Sequence, residues 1–147
     1  MKNEVKYKFP MSVIALNFVF QHTGKISLSK SILIYPFISN NELLNILSRK
    51  GNETPSLEKL IINSASCFSN FDERYKESLS MTINAIQYLY QMNYINIDNG
   101  YIYLLKEIKY TKDMGKKLDK INKASKNISN ILNEPVEKLY LNLKVTI

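Results

Sequence analysis

The sequence predicts a mainly α-helical protein with a small β-hairpin, arranged as a winged-helix-like helical core and a C-terminal amphipathic helical arm. Three observations carry this. Residues 81–90 repeat apolar side chains at helical spacing through Ile83, Ile86, Leu89 and Tyr90. Directly after them, Tyr94-Ile95-Asn96-Ile97 and Tyr101-Ile102-Tyr103-Leu104 flank Asp98-Asn99-Gly100. β-Branched and aromatic residues around Asn-Gly predict a hairpin, because its tight turn needs the positive φ that Asn and Gly tolerate. Finally, residues 111–133 show the clearest helical period in the chain. Met114, Leu118, Ile121, Ile128 and Leu132 fall within an arc of about 80°, and Lys112, Lys116, Lys120 and Lys123 fall opposite.

The elements follow in order. Pro10 suits the first position of a helix, where its missing N–H costs nothing, and residues 11–21 are apolar on most of their circumference, which predicts a buried helix. Gly24 stops it. Ser27 or Ser29 caps a segment ending in Ile32-Leu33-Ile34-Tyr35-Pro36-Phe37-Ile38, which periodicity leaves open as a strand or a short helix. Asn40 or Asn41 caps a short helix through Leu43, Leu44, Ile46 and Leu47, and residues 49–53 read as a loop. Thr54-Pro55-Ser56-Leu57-Glu58 gives a cap, a proline at the first helical position and an acid in the first turn. A further helix is expected over residues 67–75. With a separate helix capped by Ser80 over residues 81–92, it completes a trihelical core on which the hairpin is the wing. Residues 106–111 form a polar connector, and Pro135 restarts a last helix through Val136, Leu139, Tyr140, Leu141 and Leu143. Residues 1–147 are read as one domain, with the core over 10–105 and the C-terminal helices over 111–147.

The 147 residues carry a net charge of +7, unevenly spread. Residues 1–40 hold five Lys and one acid, residues 41–105 five cations and seven acids, and residues 106–147 ten Lys and five acids. The winged-helix-like region is therefore the acidic part, whereas a self-sufficient DNA reader concentrates cations there to displace counterions from phosphates. A single cysteine, Cys67, excludes an internal disulfide and favours a reducing, cytoplasmic setting. No apolar run approaches the roughly 20 residues of a membrane span, and the charged residues 1–8 do not read as a secretory leader.

The chemistry-bearing residues point away from catalysis, and no enzyme activity and no cofactor is expected. One His and one Cys exclude a metal site built from those types. His22, at the end of the first helix, reads as a cation on the helix dipole, and Cys67 as a small buried side chain. Met114-Gly115-Lys116-Lys117 lacks the upstream Gly and following Ser or Thr of a phosphate loop. Asp72 and Glu73 are neighbours that do not face one another on a helix. Arg74 stands alone among Lys, and its planar fork suits carbonyls or a carboxylate joining two helices, ahead of partner recognition. The Lys row spans roughly 16 Å and reads equally as a solvated face or as a contact for phosphates or an acidic partner. Tyr88, Tyr101 and Tyr103 are candidates for a protein interface.

The same residues resemble a family, the middle components of three-component ABC-ATPase systems and of the related Lamassu-type antiphage systems. The resemblance runs through Pro10 and its apolar helix, Leu33-Ile34-Tyr35-Pro36-Phe37, Thr54-Pro55-Ser56-Leu57, and Phe71 with Arg74. It continues through the helix over residues 81–90 with its hairpin, Lys123-Ala124, Leu139-Tyr140 and Leu143-Lys144-Val145. It implies a non-catalytic adaptor that bridges an SMC- or Rad50-like ABC ATPase subunit and an effector subunit. Direct contact with double-stranded DNA inside the complex stays open, and no membrane is involved. The competing reading is a stand-alone winged-helix DNA-binding transcriptional regulator.

Overall fold

The computed structural model describes residues 7–49 and 56–146. The chain forms α1 (Lys8–Thr23), β1 (Lys25–Ser27), α2 (Leu28–Ser31), α3 (Ile34–Ile38), α4 (Asn41–Leu47) and α5 (Leu57–Asn63). A 3-10 turn (Ala65–Cys67) leads into α6 (Phe71–Gln91), then β2 (Ile95–Asp98) and β3 (Tyr101–Leu104). A second 3-10 turn (Lys112–Met114) precedes α7 (Lys116–Ile131) and α8 (Val136–Leu143). The protein is mainly helical, and among the described residues the strands form one three-stranded antiparallel sheet in the order β1-β3-β2.

α1 is the spine. Ala15, Leu16, Phe18, Val19 and Phe20 are all buried, as the all-round apolar pattern requires. α6 packs along one side of α1 and α7 along another, and α3 lies between α1 and α6. The apolar face of α7 (Leu118, Ile121, Ala124, Ile128, Ile131) belongs to the same buried cluster as Leu16 and Phe37, so the C-terminal arm is folded back onto the core. α1 starts at Lys8, so Pro10 sits third in its first turn, where N–H groups lack intrahelical acceptors anyway.

The hairpin forms as expected, with Asn99 at φ 51° and Gly100 at φ 80°. The residues left open resolve into three pieces. Lys25–Ser27 pairs with β3, Ser27 caps α2 by accepting from Lys30 N, and the Pro36 run is helical. Asn40 caps α4, its Oδ1 accepting from Leu43 N at 2.8 Å. Ser56 caps α5, accepting from Lys59 N, while Thr54 and Pro55 lie outside the described residues, as do 50–53 of the expected loop.

Two helix boundaries differ from expectation. The separate helices over 67–75 and 81–92 are one helix of 21 residues, and Cys67 sits in the preceding 3-10 turn. Ser78 turns its hydroxyl back to Tyr75 O at 3.3 Å, and nothing between Phe71 and Gln91 is Gly or Pro, so the expected junction does not form. The core is accordingly built on α1 rather than on a trihelical set ending at Met92. The buried stripe of α6 is Tyr75, Ser78, Thr82, Ala85, Ile86 and Leu89, while Ile83 and Tyr90 are about half exposed, at 50% and 47%. The helix over 111–133 is interrupted instead at Gly115 (φ 91°), which separates the 3-10 turn from α7. At the C-terminus Leu141 points outward, and Lys144 ends α8 in the left-handed conformation.

A single polar residue fastens these layers. Asn17, fully buried on α1, donates from Nδ2 to Lys106 O (3.0 Å) and accepts at Oδ1 from Ile108 N (2.8 Å). Gln21 Nε2 donates to Asn17 Oδ1 at 2.9 Å and to Ile108 O at 2.8 Å. The connector leaving the hairpin is thereby tied to the spine. Asn17→Ala orphans these connector groups, and urea unfolding should show a loss of about 1–3 kcal/mol.

Candidate functional site

The candidate residues fall on three surfaces. On the sheet, Ile102 faces the core, so Tyr101 and Tyr103 project together from the opposite face. Their cross-strand neighbours are Lys25 and Ser27 on β1 and Asn96 and Asp98 on β2. Lys25 Nζ stands 4.6 Å over the Tyr101 ring, and Lys106 Nζ 5.3 Å over Tyr94. Beside Tyr101 a cleft of about 410 Å³ runs between the sheet and the C-terminal end of α7, with Lys25 and Lys30 in its wall. Tyr88 belongs to a second surface: its ring meets Phe9 of α1 edge-on at 6.2 Å, and both rings are partly exposed.

The third surface is the Lys face of α7. Lys116, Lys120, Lys123 and Lys126 are exposed, but they are not equivalent. Lys120 Nζ donates to Asn45 Oδ1 and Lys117 Nζ to Asn41 Oδ1, each at 2.8 Å, so these two reach sideways to α4. Asn127 Nδ2 donates to Leu47 O at 2.8 Å on the same seam. Lys123 pairs with Asp119 at 3.0 Å, an exposed i,i+4 bridge of small energetic weight. Lys112 lies on the 3-10 turn before Gly115, off the helix on which it was expected. The regular stripe read from the sequence is therefore an outward pair, Lys116 and Lys126, between a bridged Lys123 and two lysines holding α4.

Arg74 acts as a joint. Its Nε donates to Pro36 O (3.1 Å) and its Nη2 to Cys67 O (2.8 Å), and the guanidinium stands 5.3 Å over the Phe71 ring. Phe71 meets Phe37 at 5.0 Å, edge to face. The apolar-Pro-apolar run and the Phe71–Arg74 pair, 38 residues apart for Arg74 and Pro36, thus form one contact. Cys67 is buried, which raises its thiol pKa, with the Glu42 charge adding to this. Asp72 is paired with Lys76 at 2.9 Å, and Tyr140 Oη donates to Ser29 O at 2.7 Å, fixing α8 to α2. Among the described residues no three His, Cys, Asp or Glu side chains group as a metal site.

His22 departs from its expected role as a cation. Partial burial first, and then the charge of Lys126 across the α1–α7 contact, hold its pKa below 6.5, with Glu107 opposing them. The neutral imidazole therefore prevails at pH 7. Both causes, the burial of the ring and the approach of Lys126, come from tertiary packing that the sequence does not give.

Residues 13–147 match the family described as MC3, ABC-three component (ABC-3C) system Middle Component 3. The chain belongs to this family. No curated protein and no solved structure matches it. As an ABC-3C middle component it is an accessory part of an ABC system, and other components of such a system are its partners. Among the described residues, no helix of this middle component is long and apolar enough to cross a membrane.

Two outcomes follow from this geometry. Arg74→Lys keeps the charge but cannot span two carbonyls with one planar fork. It should lower stability by about 1–3 kcal/mol in urea unfolding, close to the effect of Arg74→Ala. For His22 the folded pKa lies below its unfolded value of 6.5, so the unfolded chain binds more protons in between. Its contribution to stability is complete above pH 6.5 and is lost as pH falls through the folded pKa. An NMR titration of this imidazole should give a midpoint below 6.5, moving upward in Lys126→Ala.

Proposed function

We propose that this middle component is a non-catalytic adaptor that bridges an SMC-like ABC ATPase and an effector subunit in a bacterial antiphage or anti-plasmid defence complex of the cytoplasm. The observation that carries the reading is the family match over residues 13–147. The surfaces are compatible with it. Helix, strand, helices, long helix and hairpin follow one another as in a winged helix, in which the helix before the hairpin is the one that enters a DNA groove. Here that helix is α6, with Asp72, Glu73 and Glu77 against Arg74 and Lys76. Arg74 donates to two carbonyls and Lys76 is bridged to Asp72. Such a helix offers little to a phosphate backbone, whereas the tyrosines of the sheet face and the Tyr88–Phe9 pair suit a protein interface. On this reading the wing and Tyr88 meet a partner subunit. The Lys116–Lys126 side of α7, with Lys112 beside it, faces DNA held in the complex or an acidic ATPase surface.

The test is affinity purification of the tagged chain expressed with its neighbouring genes, comparing wild type with Lys112→Glu, Lys116→Glu and Lys123→Glu combined. These three leave the Lys120–Asn45 and Lys117–Asn41 bonds in place. The wild type should retain an ABC ATPase and a further subunit. The triple variant should lose about tenfold or more in recovered ATPase or in DNA-stimulated ATP hydrolysis, the scale expected when several interface charges are reversed. Unchanged assembly together with an unchanged DNA response removes the role of the Lys face. A chain that elutes alone and shifts duplex DNA with a steep salt dependence is instead a winged-helix regulator.

A further inference from the structure

A second cleft, of about 570 Å³, opens where the first turns of α1 and α7 meet α3, the start of α4 and the middle of α6. Tyr35 lines it. The residue is 4% exposed, and its hydroxyl has no hydrogen-bond partner among the described residues. Among other buried hydroxyls, Ser12, Ser31 and Ser78 each donate to a backbone carbonyl, while Thr82 Oγ1 has no partner. The ring is buried while the hydroxyl opens onto the cleft, so the donor is held in place by packing and is available to whatever enters there. Burial raises the Tyr35 pKa, which keeps the group a donor at neutral pH.

The charges around this hydroxyl match an acceptor. Arg74 lines the cleft, and with Nε and Nη2 bonded to the Pro36 and Cys67 carbonyls its Nη1 is left to donate. Lys8 enters from the first turn of α1, and Lys117 from α7, its Nζ positioned by Asn41 Oδ1. Three cations face a single acid, Glu77, while Met11 and Met81 supply apolar wall. The volume lies within the range of small-molecule sites. Donors converging from separate helices suit a group with several acceptor oxygens in different directions, as phosphate has.

We infer that this cleft is a binding site for a small phosphorylated ligand of mononucleotide size. Its phosphate accepts from Tyr35, Arg74 and Lys8, and the rest of the ligand lies against Met11 and Met81. The site borders the Lys face at Lys117, but Tyr35 and Lys8 belong to neither docking surface, so its failure and theirs are distinguishable.

The test is an NMR titration of the full chain with adenosine monophosphate, with inorganic phosphate and succinate run in parallel. Saturable shifts at residues 35, 74 and 81, with the nucleotide about fivefold or more tighter than bare phosphate, are expected. Tyr35→Phe should weaken nucleotide binding about ten- to a hundredfold, the loss of one hydrogen bond to a charged group, without changing the spectrum elsewhere. Lys8→Glu, at an exposed position, should weaken it further and serves if Tyr35→Phe perturbs the fold. The inference is overturned by absent saturation, or by equal affinity for nucleotide and bare phosphate. It is also overturned if both variants bind as wild type does, or if succinate binds as tightly as the nucleotide, which would make the cleft a carboxylate receptor.

Discussion

The fold depends on one buried amide. α1 is apolar almost all round and has no polar stripe to orient it, so any neighbour of the right shape could pack against it at several angles. Asn17 removes that freedom. Gln21 on the same helix answers part of the Asn17 oxygen, but Asn17 Nδ2 donates to Lys106 O and its Oδ1 accepts from Ile108 N when the connector lies across α1 in this register. That connector begins where the hairpin ends and leads to α7, so the same bonds set the sheet on one side of the spine and the amphipathic helix on another. A buried polar group that must be satisfied excludes alternative packings that burial of apolar area tolerates.

A second joint completes the scaffold. Arg74 reaches back from α6 to the carbonyls of Pro36 and Cys67, and the Phe37, Phe68 and Phe71 rings pack beneath it. Carbonyls at the ends of short helices lack intrahelical partners; in α3 Ser39 N answers Tyr35 O, and Pro36 O takes only a long bond, 3.4 Å, from the Ser39 hydroxyl. A guanidinium, with donors spread across a plane, can answer two of them at once. The joint also brings Arg74 to the wall of the cleft that Tyr35 lines, so the residue that closes the core contributes to a surface feature.

Electrostatics separate the faces of the molecule. The acids of α6 neutralise the position from which a winged helix would address DNA, and on α7 Lys116 and Lys126 stand exposed. Exposed tyrosines occupy the sheet face and the α1–α6 seam. The aromatic and cationic surfaces therefore lie on different parts of the molecule.

Local chemistry made much of this legible in the chain itself. Asn99-Gly100 dictated the hairpin because few other pairs accept two positive φ values, and the Ser27/Ser29 and Asn40/Asn41 pairs marked caps nearby, between which the fold chose Ser27 and Asn40. The spacing of Leu118, Ile121, Ile128 and Leu132 determined which side of α7 is buried. The composition and charge of residues 41–105 already spoke against a self-sufficient DNA reader. Only the tertiary structure decided the rest. β1 is three residues long and carries no strand signal of its own; it exists because β3 offers a free edge beside it. The continuity of α6 through its serines came from packing on α1 and α3, which outweighs their weak preference for capping. Most of all, which lysines are available was invisible locally. Lys120 and Lys117 are held by Asn45 and Asn41, about 75 residues earlier in the chain. A helical period specifies the direction of a side chain, and only the folded neighbour specifies whether its charge is already satisfied.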